Sequence, residues 1–160
     1  MSYNTVVEQN PAPGSPEYPV AMNATGESVG YTAVANGPAA DAVLWSETGQ
    51  VTVLQDVGGV GSSEPNNINR LGYSVGTSEI AGSSAAEPVL WSPSGAGTVL
   101  QNVDGVPYNH WDNAYAINNS GWIVGISPAA APPGQPTATI WSPSGTATYL
   151  QNPIKTSDPS

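Results

Sequence analysis

The sequence has no cysteine, no phenylalanine and only two basic residues, Arg70 and Lys155, among its 160 residues. Without cysteine there can be no disulfide, thiolate metal ligand or thiol nucleophile. Two bases cannot neutralise a run of phosphates, which excludes nucleic acid and anionic membrane surfaces as partners. The 12 acids give a formal net charge of -10, so the protein is strongly acidic.

Long apolar runs are missing as well. No stretch approaches the roughly 18 to 20 residues that a membrane span requires, which predicts no membrane insertion. The first residues, MSYNTVVEQNPAPG, lack the basic leader and the apolar stretch of a secretory signal. We therefore expect either that the chain is made and used without the general export route, or that a leader has been removed from it.

Glycine and proline are what the chain has in abundance. Its 18 glycines and 16 prolines exceed a fifth of the sequence, while hydrophobic residues make up 39%. Such a composition favours short strands and frequent turns. The length allows one domain with a hydrophobic core.

One pattern occurs three times along the chain. It reads AMNATGESVG at 21–30, NINRLGYSVG at 67–76 and AINNSGWIVG at 116–125. Each copy is followed, after a variable loop, by a Leu-Trp or Ile-Trp block: VLWSETGQVTVLQ, VLWSPSGAGTVLQ and TIWSPSGTATYLQ. The tryptophans of these blocks lie 46 and 50 residues apart, so the repeat period is about 46–50 residues.

Each repeat predicts four short strands, arranged as two hairpins joined by a loop. The predicted fold is all-β, with three four-stranded repeats resembling β-propeller blades and an extra N-terminal strand. A β-prism or a β-trefoil is the alternative. Propellers generally close with four to eight blades, so three blades favour self-association. Trp45, Trp91 and Trp141 are expected in the core rather than stacked on a ligand.

The sequence divides into an arm, a repeat domain and a tail. The arm covers 1–18, the domain 19–152 (repeats 19–64, 65–112 and 113–152) and the tail 153–160. Within the arm, TVVEQN at 5–10 resembles the closing strand TVLQN at 98–102. This segment, with Thr5, Val6, Val7 and Gln9 as its assembly residues, predicts strand exchange with another subunit. The alternative is a flexible arm, because PAPGSPEYP at 11–19 is typical of linkers.

A formal G-x-S-x-G motif surrounds Ser74, within Gly72–Gly76. A hydrolase nucleophile requires a sharp turn from a strand into a helix, and the residues after Gly76 have no helical apolar period. The first repeat duplicates the serine as Ser28 and the third replaces it with Ile123. We therefore expect no catalytic residue here, and no pair of carboxylates elsewhere indicates a glycosidase. The protein is predicted not to be an enzyme.

The A-I-N-x-x-G-x-x-V-G block, followed by Leu-Trp and a glycine turn, resembles the HAF-type extracellular repeat of bacterial proteins. The resemblance covers nearly all of residues 20–152 and implies blades of a β-propeller, without a catalytic set. The chain departs from the family before Leu-Trp, where His-Ala-Phe is replaced. The replacing triplets are Asp41-Ala42-Val43, Glu87-Pro88-Val89 and Thr137-Ala138-Thr139.

The linker between the second and third repeats is the most irregular segment, DGVPYNHWDNAY at 104–115. Aromatic faces beside amide and carboxylate groups are suited to stacking on a sugar and hydrogen bonding its hydroxyls. The alternative is that the aromatic residues cover the end of a blade. No metal site is expected, because neither a helix-spaced ligand pair nor an Asp-rich calcium loop occurs, and no cofactor is implied. The candidate ligand-binding residues are Tyr108, Asn109, His110, Trp111, Asp112 and Tyr115.

The sequence thus favours a non-enzymatic structural protein, a β-repeat module that self-associates or decorates a larger particle. Export-free release and an extracellular family resemblance suit a virion component, such as a phage decoration or fibre protein, located on the virion surface or outside the cell. The expected partners are further copies of the chain or other virion and surface proteins. The alternatives are a carbohydrate-binding, lectin-like module that uses the 104–115 loop, and a piece of a longer propeller.

Overall fold

The computed structural model describes residues 15–33, 40–59, 61–83, 85–105, 107, 112–128 and 135–150. These residues form three four-stranded antiparallel sheets, each built from four consecutive strands. The prediction of an all-β fold with three four-stranded repeats is confirmed.

Within each sheet the strands lie side by side in chain order. The first sheet contains β1 (Glu17–Met22), β2 (Ser28–Ala33), β3 (Ala40–Trp45) and β4 (Val51–Val53). The second contains β5 (Ser63–Ile68), β6 (Ser74–Glu79), β7 (Ala86–Trp91) and β8 (Gly97–Val99). The third contains β9 (Asn113–Ile117), β10 (Ile123–Pro128), β11 (Pro136–Trp141) and β12 (Ala147–Tyr149). A single 3₁₀ turn, Val103–Gly105, is the one helical element among the described residues.

The repeated Asn-x-x-Gly motif forms the turn between the first two strands of each sheet. In the second sheet, the Asn69 side-chain oxygen accepts hydrogen bonds from the backbone N–H groups of Leu71, at 2.9 Å, and Tyr73, at 3.1 Å. Gly72 takes a φ of +78°, which favours glycine because other side chains are strained there. The motif is therefore a turn signal, since an asparagine side chain readily bonds nearby backbone N–H groups.

The second glycine of the longer Asn-x-x-Gly-x-x-Val-Gly pattern, Gly76 in the second repeat, is required for a different reason. A Cβ on Gly76 would lie 2.0 Å from the backbone oxygen of Glu64, which is closer than any real contact. The pairing of β5 with β6 shifts register between Pro65 and Asn67, at a β-bulge beside this glycine. The same close approach recurs at Gly30 and Gly125. Glycine is therefore required wherever the bulged first strand presses its backbone against the second.

The sheets pack face to face in chain order. We call the face of each sheet that lies toward the following sheet its front face, and the opposite face its back face. In the first core, the front-face residues Val29, Leu44 and Leu54 pack with Trp91 and other back-face residues of the second sheet. In the second core, the front face of the second sheet packs on the back face of the third. The members of this second core are Val75, Leu100, Ala114, Ile117, Ile123 and Trp141.

This stacking corresponds to neighbouring blades of a propeller. The second sheet has both faces covered by sheets, and the strand pairs that pack closely belong to one sheet or to adjoining ones. No closed barrel forms among the described residues, so the arrangement differs from a β-trefoil. Trp91 and Trp141 are fully buried in the two cores, as predicted. The described residues also include no helix with the length and apolarity needed to cross a membrane.

Candidate assembly surface

The front face of the third sheet is exposed, although the same face is buried in the two sheets before it. Val29 and Val75 are 0% exposed, whereas the equivalent Val124 is 39% exposed. Leu54 and Leu100 are 1% and 5% exposed, whereas the equivalent Leu150 is 46% exposed. The repeat thus places at this face the same apolar positions that form the core between sheets. An unpartnered apolar sheet face of this kind is typical of an interaction surface.

The third sheet is also free of charge. None of the residues in its strands β9 to β12 is Asp, Glu, Lys or Arg, although the chain carries a formal charge of -10. The first sheet has Glu17 and Asp41 in its strands, and the second has Glu64, Glu79 and Glu87. Depletion of charge is a compositional mark of the core of a protein interface. In an acidic protein, this sheet is where two like-charged molecules would repel each other least.

A ladder of asparagines crosses the three sheets and ends beside this surface. The Asn23 side-chain N–H donates to the backbone oxygen of Asn69 at 2.9 Å, and Asn69 donates to the backbone oxygen of Asn118 at 3.1 Å. Asn23 and Asn69 are buried, at 8% and 4% exposure, whereas Asn118 is exposed. The Asn118 side-chain oxygen closes its own turn on Ser120 and Trp122, as in the other repeats. Its amide is left as the open donor end of the ladder in the described part of the chain.

The back face of the first sheet is different, because it is buried in part. Val43 and Trp45 are 0% exposed and Thr32 is 1% exposed, yet none of them belongs to either core cluster. We call the β1 edge of each sheet its inner edge and the β4 edge its outer edge, with the equivalent strands in the other sheets. Met22, in β1 on the same face, is 72% exposed, whereas its equivalents Ile68 and Ile117 are 6% and 8% exposed. The outer half of this face is thus covered and the inner half is open.

The structure brings together only part of the predicted ligand loop. Tyr108, Asn109, His110 and Trp111 lie outside the described residues, as do the arm residues Thr5, Val6, Val7 and Gln9. Asp112 is buried at 1% exposure just before β9, and Tyr115 is 48% exposed within β9. Binding of a glycan by this loop therefore stays a prediction.

Two concave features lie between the second and third sheets. A cavity of about 170 Å³ lies between the second and third sheets, lined by Glu64, Thr77, Glu79 and Asp112 among others. A groove of about 290 Å³ lies at the turn end of the same two sheets, lined by Tyr73, Asn119 and Pro143 among others. No group of three or more His, Cys, Asp or Glu side chains among the described residues could hold a metal ion.

Ser74 and Glu87 are the other residues of chemical interest in the second sheet. Ser74 is fully buried at the start of β6, a strand that runs to Glu79 and lies between two others. It thus occupies a strand within a sheet, and no strand-to-helix elbow surrounds it. Burial raises the pKa of Glu87 above its ordinary value, and the nearby Asp56 carboxylate raises it further. Both effects disfavour the charged form of this side chain.

Comparison with known proteins found no matching family, curated protein or solved structure. The resemblance to HAF-type repeats therefore stays an interpretation of the sequence.

The assembly surface itself escaped the sequence prediction. The repeats predict that an end of the stack is open, but they do not indicate which end. One signal was available: the 38 residues from Asn113 to Leu150 contain no acid and no base.

Proposed function

We propose that this protein is a non-enzymatic assembly module, and that the front face of its third sheet packs against the same face of a second copy. The observation that carries the proposal is the exposure of Val124 and Leu150, at positions that the two preceding sheets bury completely or nearly so. Decoration of a larger particle, such as a virion, would be a further use of the same kind of module.

The choice of a second copy as partner rests on which faces are open. The outer half of the back face of the first sheet is already covered, as the full burial of Val43 and Trp45 indicates. A front-to-back stack would require that cover to move. Front-to-front packing needs no such change, and it makes a two-fold contact in which one patch meets itself, the commonest arrangement of soluble oligomers.

The absence of charged residues in the third sheet supports the same choice. Two copies of a chain with net charge -10 repel each other at long range, but salt screens exposed charges beyond roughly 10 Å at 0.1 M. Contact through an uncharged face keeps the acids of both copies away from the interface. We therefore expect the association to strengthen as the salt concentration rises.

The test is the mass of the protein in solution, measured by light scattering over a range of protein and salt concentrations. The wild type is expected to form a dimer, and Val124→Glu is expected to be monomeric because it places a carboxylate at the centre of the face. Leu71→Glu is the matched control, since Leu71 is 62% exposed in a turn of the second sheet, away from the front face. A monomeric wild type, or equal dissociation by both substitutions, would overturn the proposal.

A further inference from the structure

The segment that follows the fourth strand of the first and second sheets accepts a hydrogen bond from the tryptophan of the following sheet. We call this segment the closing segment. The Trp91 indole N–H donates to the backbone oxygen of Gln55 at 2.8 Å, and the Trp141 indole donates to that of Gln101 at 2.8 Å. Gln55 and Gln101 follow β4 and β8 at the same position of the repeat. The tryptophan of one sheet therefore fixes the closing segment of the sheet before it.

The residues that follow Gln55 and Gln101, namely Asp56 and Asn102, each accept a second hydrogen bond from the following sheet. The Ser78 hydroxyl donates to the Asp56 carboxylate at 2.5 Å, and the Ser127 hydroxyl donates to the side-chain oxygen of Asn102 at 3.0 Å. Ser78 and Ser127 both occupy the fifth position of the second strand in their sheets. Each closing segment is thus held by an indole and a hydroxyl from the following sheet.

In the first sheet the fifth position is Thr32, whose hydroxyl is buried and has no hydrogen-bond partner within the described part of the chain. An unsatisfied buried hydroxyl is costly, so a missing acceptor is indicated at this point. Trp45 lies on the same back face, opposite Ser28 in the pairing of β2 with β3, and is fully buried. The exposure of Met22 shows that the cover does not extend over the whole face, as a complete sheet would. A single strand across the outer half accounts for both observations.

The N-terminal segment has the sequence and the spacing that this position needs. Gln9 precedes Trp45 by 36 residues, the separation between Gln55 and Trp91. Asn10 precedes Thr32 by 22 residues, the separation between Asp56 and Ser78.

The connection to the first sheet has the right length too. Asn10 precedes the first residue of β1, Glu17, by seven residues, and Asp56 precedes the first residue of β5, Ser63, by seven residues. A connector of this length already joins the closing segment of the first sheet to the second sheet, so it is long enough to place residues 5–10 on their own chain.

We propose that residues 5–10 bind in cis, as a closing strand on the back face of the first sheet, with the Gln9 carbonyl accepting from the Trp45 indole and the Asn10 side chain accepting from the Thr32 hydroxyl. Relative to TVLQN at 98–102, the segment has Glu8 as one additional residue, and a β-bulge at Glu8 would put Val7 at the leucine position. The site is separate from the front face and does not depend on the proposed self-association.

A disulfide tests both the position and the chain to which the arm belongs. Pro11 and Val51 are equivalent to Val57 and Gly97, and a Cβ built on Gly97 would lie 2.5 Å from a methyl carbon of Val57. If the arm is at the proposed position, a Pro11→Cys, Val51→Cys pair would have its Cβ atoms within the roughly 4 Å that a disulfide requires. These are the only thiols in the chain, since the protein has no cysteine. Val20→Cys with Pro11→Cys is the control pair, because Val20 is exposed on the inner strand of the same sheet.

The pair is oxidised in the Val124→Glu background, so that the result is independent of front-face association. We expect a cross-link within one chain, seen as a faster-migrating band on a non-reducing gel that reductant removes, and markedly less cross-linking in the control pair. A cross-linked dimer would overturn the proposal by showing that the arm is exchanged between chains. Cross-linking no greater than in the control would also overturn it, because the arm would then not be at this site.

A second measurement does not require new bonds. Thr32→Val keeps the shape of the side chain and removes the hydroxyl. If Asn10 accepts from this hydroxyl, the substitution lowers the Tm and Asn10→Ala adds little further to the loss. Ser127→Ala, which breaks the described bond to Asn102, provides the reference shift. A rise in Tm on Thr32→Val would overturn the proposed bond, since it would mean that an unpaired buried hydroxyl had been relieved.

Discussion

The side-chain amide of Asn23 donates a hydrogen bond to the backbone oxygen of Asn69, 46 residues later, at 2.9 Å. The same asparagine also closes its own turn, because its side-chain oxygen accepts from the backbone N–H groups of Thr25 and Glu27, both at 3.0 Å. One residue therefore satisfies the turn within a sheet and the joint between two sheets. This double use explains why the repeat keeps asparagine at the position while most neighbouring residues vary.

Replacing Asn69 with aspartate separates the two uses. Asn69→Asp keeps the oxygen that closes the turn but loses the N–H that bonds Asn118, and it brings a buried carboxylate against a backbone oxygen. We expect a loss of about 1 to 3 kcal/mol in the free energy of unfolding, measured by denaturant titration. Asn118→Asp is the matched control, because its amide is at the open end of the ladder, and it should change stability by less than about 0.5 kcal/mol. Equal losses in the two variants would contradict the ladder.

The repeat pattern predicted the strands because it combines turn glycines with apolar alternation. The hairpin after Asn69 and the turn before Gly95 follow from residues whose backbone preferences are strong, and Gly72 and Gly95 do have φ values of +78° and +87°. The start of the first strand in each sheet has no comparable signal in the sequence. β5 begins at Ser63, two residues before the second repeat as divided from the sequence, and it contains Pro65 and a bulge that break the alternation.

The bulge makes a sharp prediction for glycine. Gly76→Ala should lower the free energy of unfolding by more than about 3 kcal/mol or prevent folding, because its Cβ would have to push apart the backbones of β5 and β6. Gly145→Ala is the comparison: its φ is +86° but a Cβ there would meet no atom within 4 Å, so the cost is backbone strain of about 1 to 2 kcal/mol. Thermal unfolding of both variants by circular dichroism measures the difference, and a smaller effect at Gly76 would show that the strands can separate there.

The candidate surface could not be derived from the sequence with equal ease. Val29, Val75 and Val124 occupy the same position of the repeat, so the pattern alone assigns them one environment. Their exposures differ because burial depends on whether another sheet follows. Exposure at the end of a stack depends on how the sheets are assembled, and the type of residue at the position does not reveal it. The lack of charge in the third sheet was visible in the sequence, but its meaning depended on knowing which face was open.

The raised pKa of Glu87 predicts how the free energy of unfolding depends on pH. Its pKa is raised in the folded state by burial and by Asp56, so the folded protein pays for keeping it charged. Its favourable contribution is fully present below the unfolded pKa of about 4.3 and is lost as the pH rises through the raised folded pKa. Glu87→Gln should therefore be more stable than the wild type at neutral pH, by less than about 1 kcal/mol because the group is only partly buried. Chemical denaturation at several pH values measures this gap, which should close as the medium becomes acidic; a gap independent of pH would exclude the carboxylate as its cause.

Removing the arm tests how the two ends of the stack are related. Deletion of residues 1–12 should expose Trp45 and Val43 on the back face, because the arm is proposed to cover them. Loss of burial for a side chain of this size costs about 2 kcal/mol, so the Tm should fall and the tryptophan fluorescence should shift to the red. Deletion of residues 153–160 is the control and should change neither.

Once the back face is open, the front face of another copy has a second place to pack, and light scattering should show species larger than the dimer. If the deleted protein instead dissociates to monomers, the arm holds copies together, and both the cis position of the arm and front-to-front packing would be contradicted.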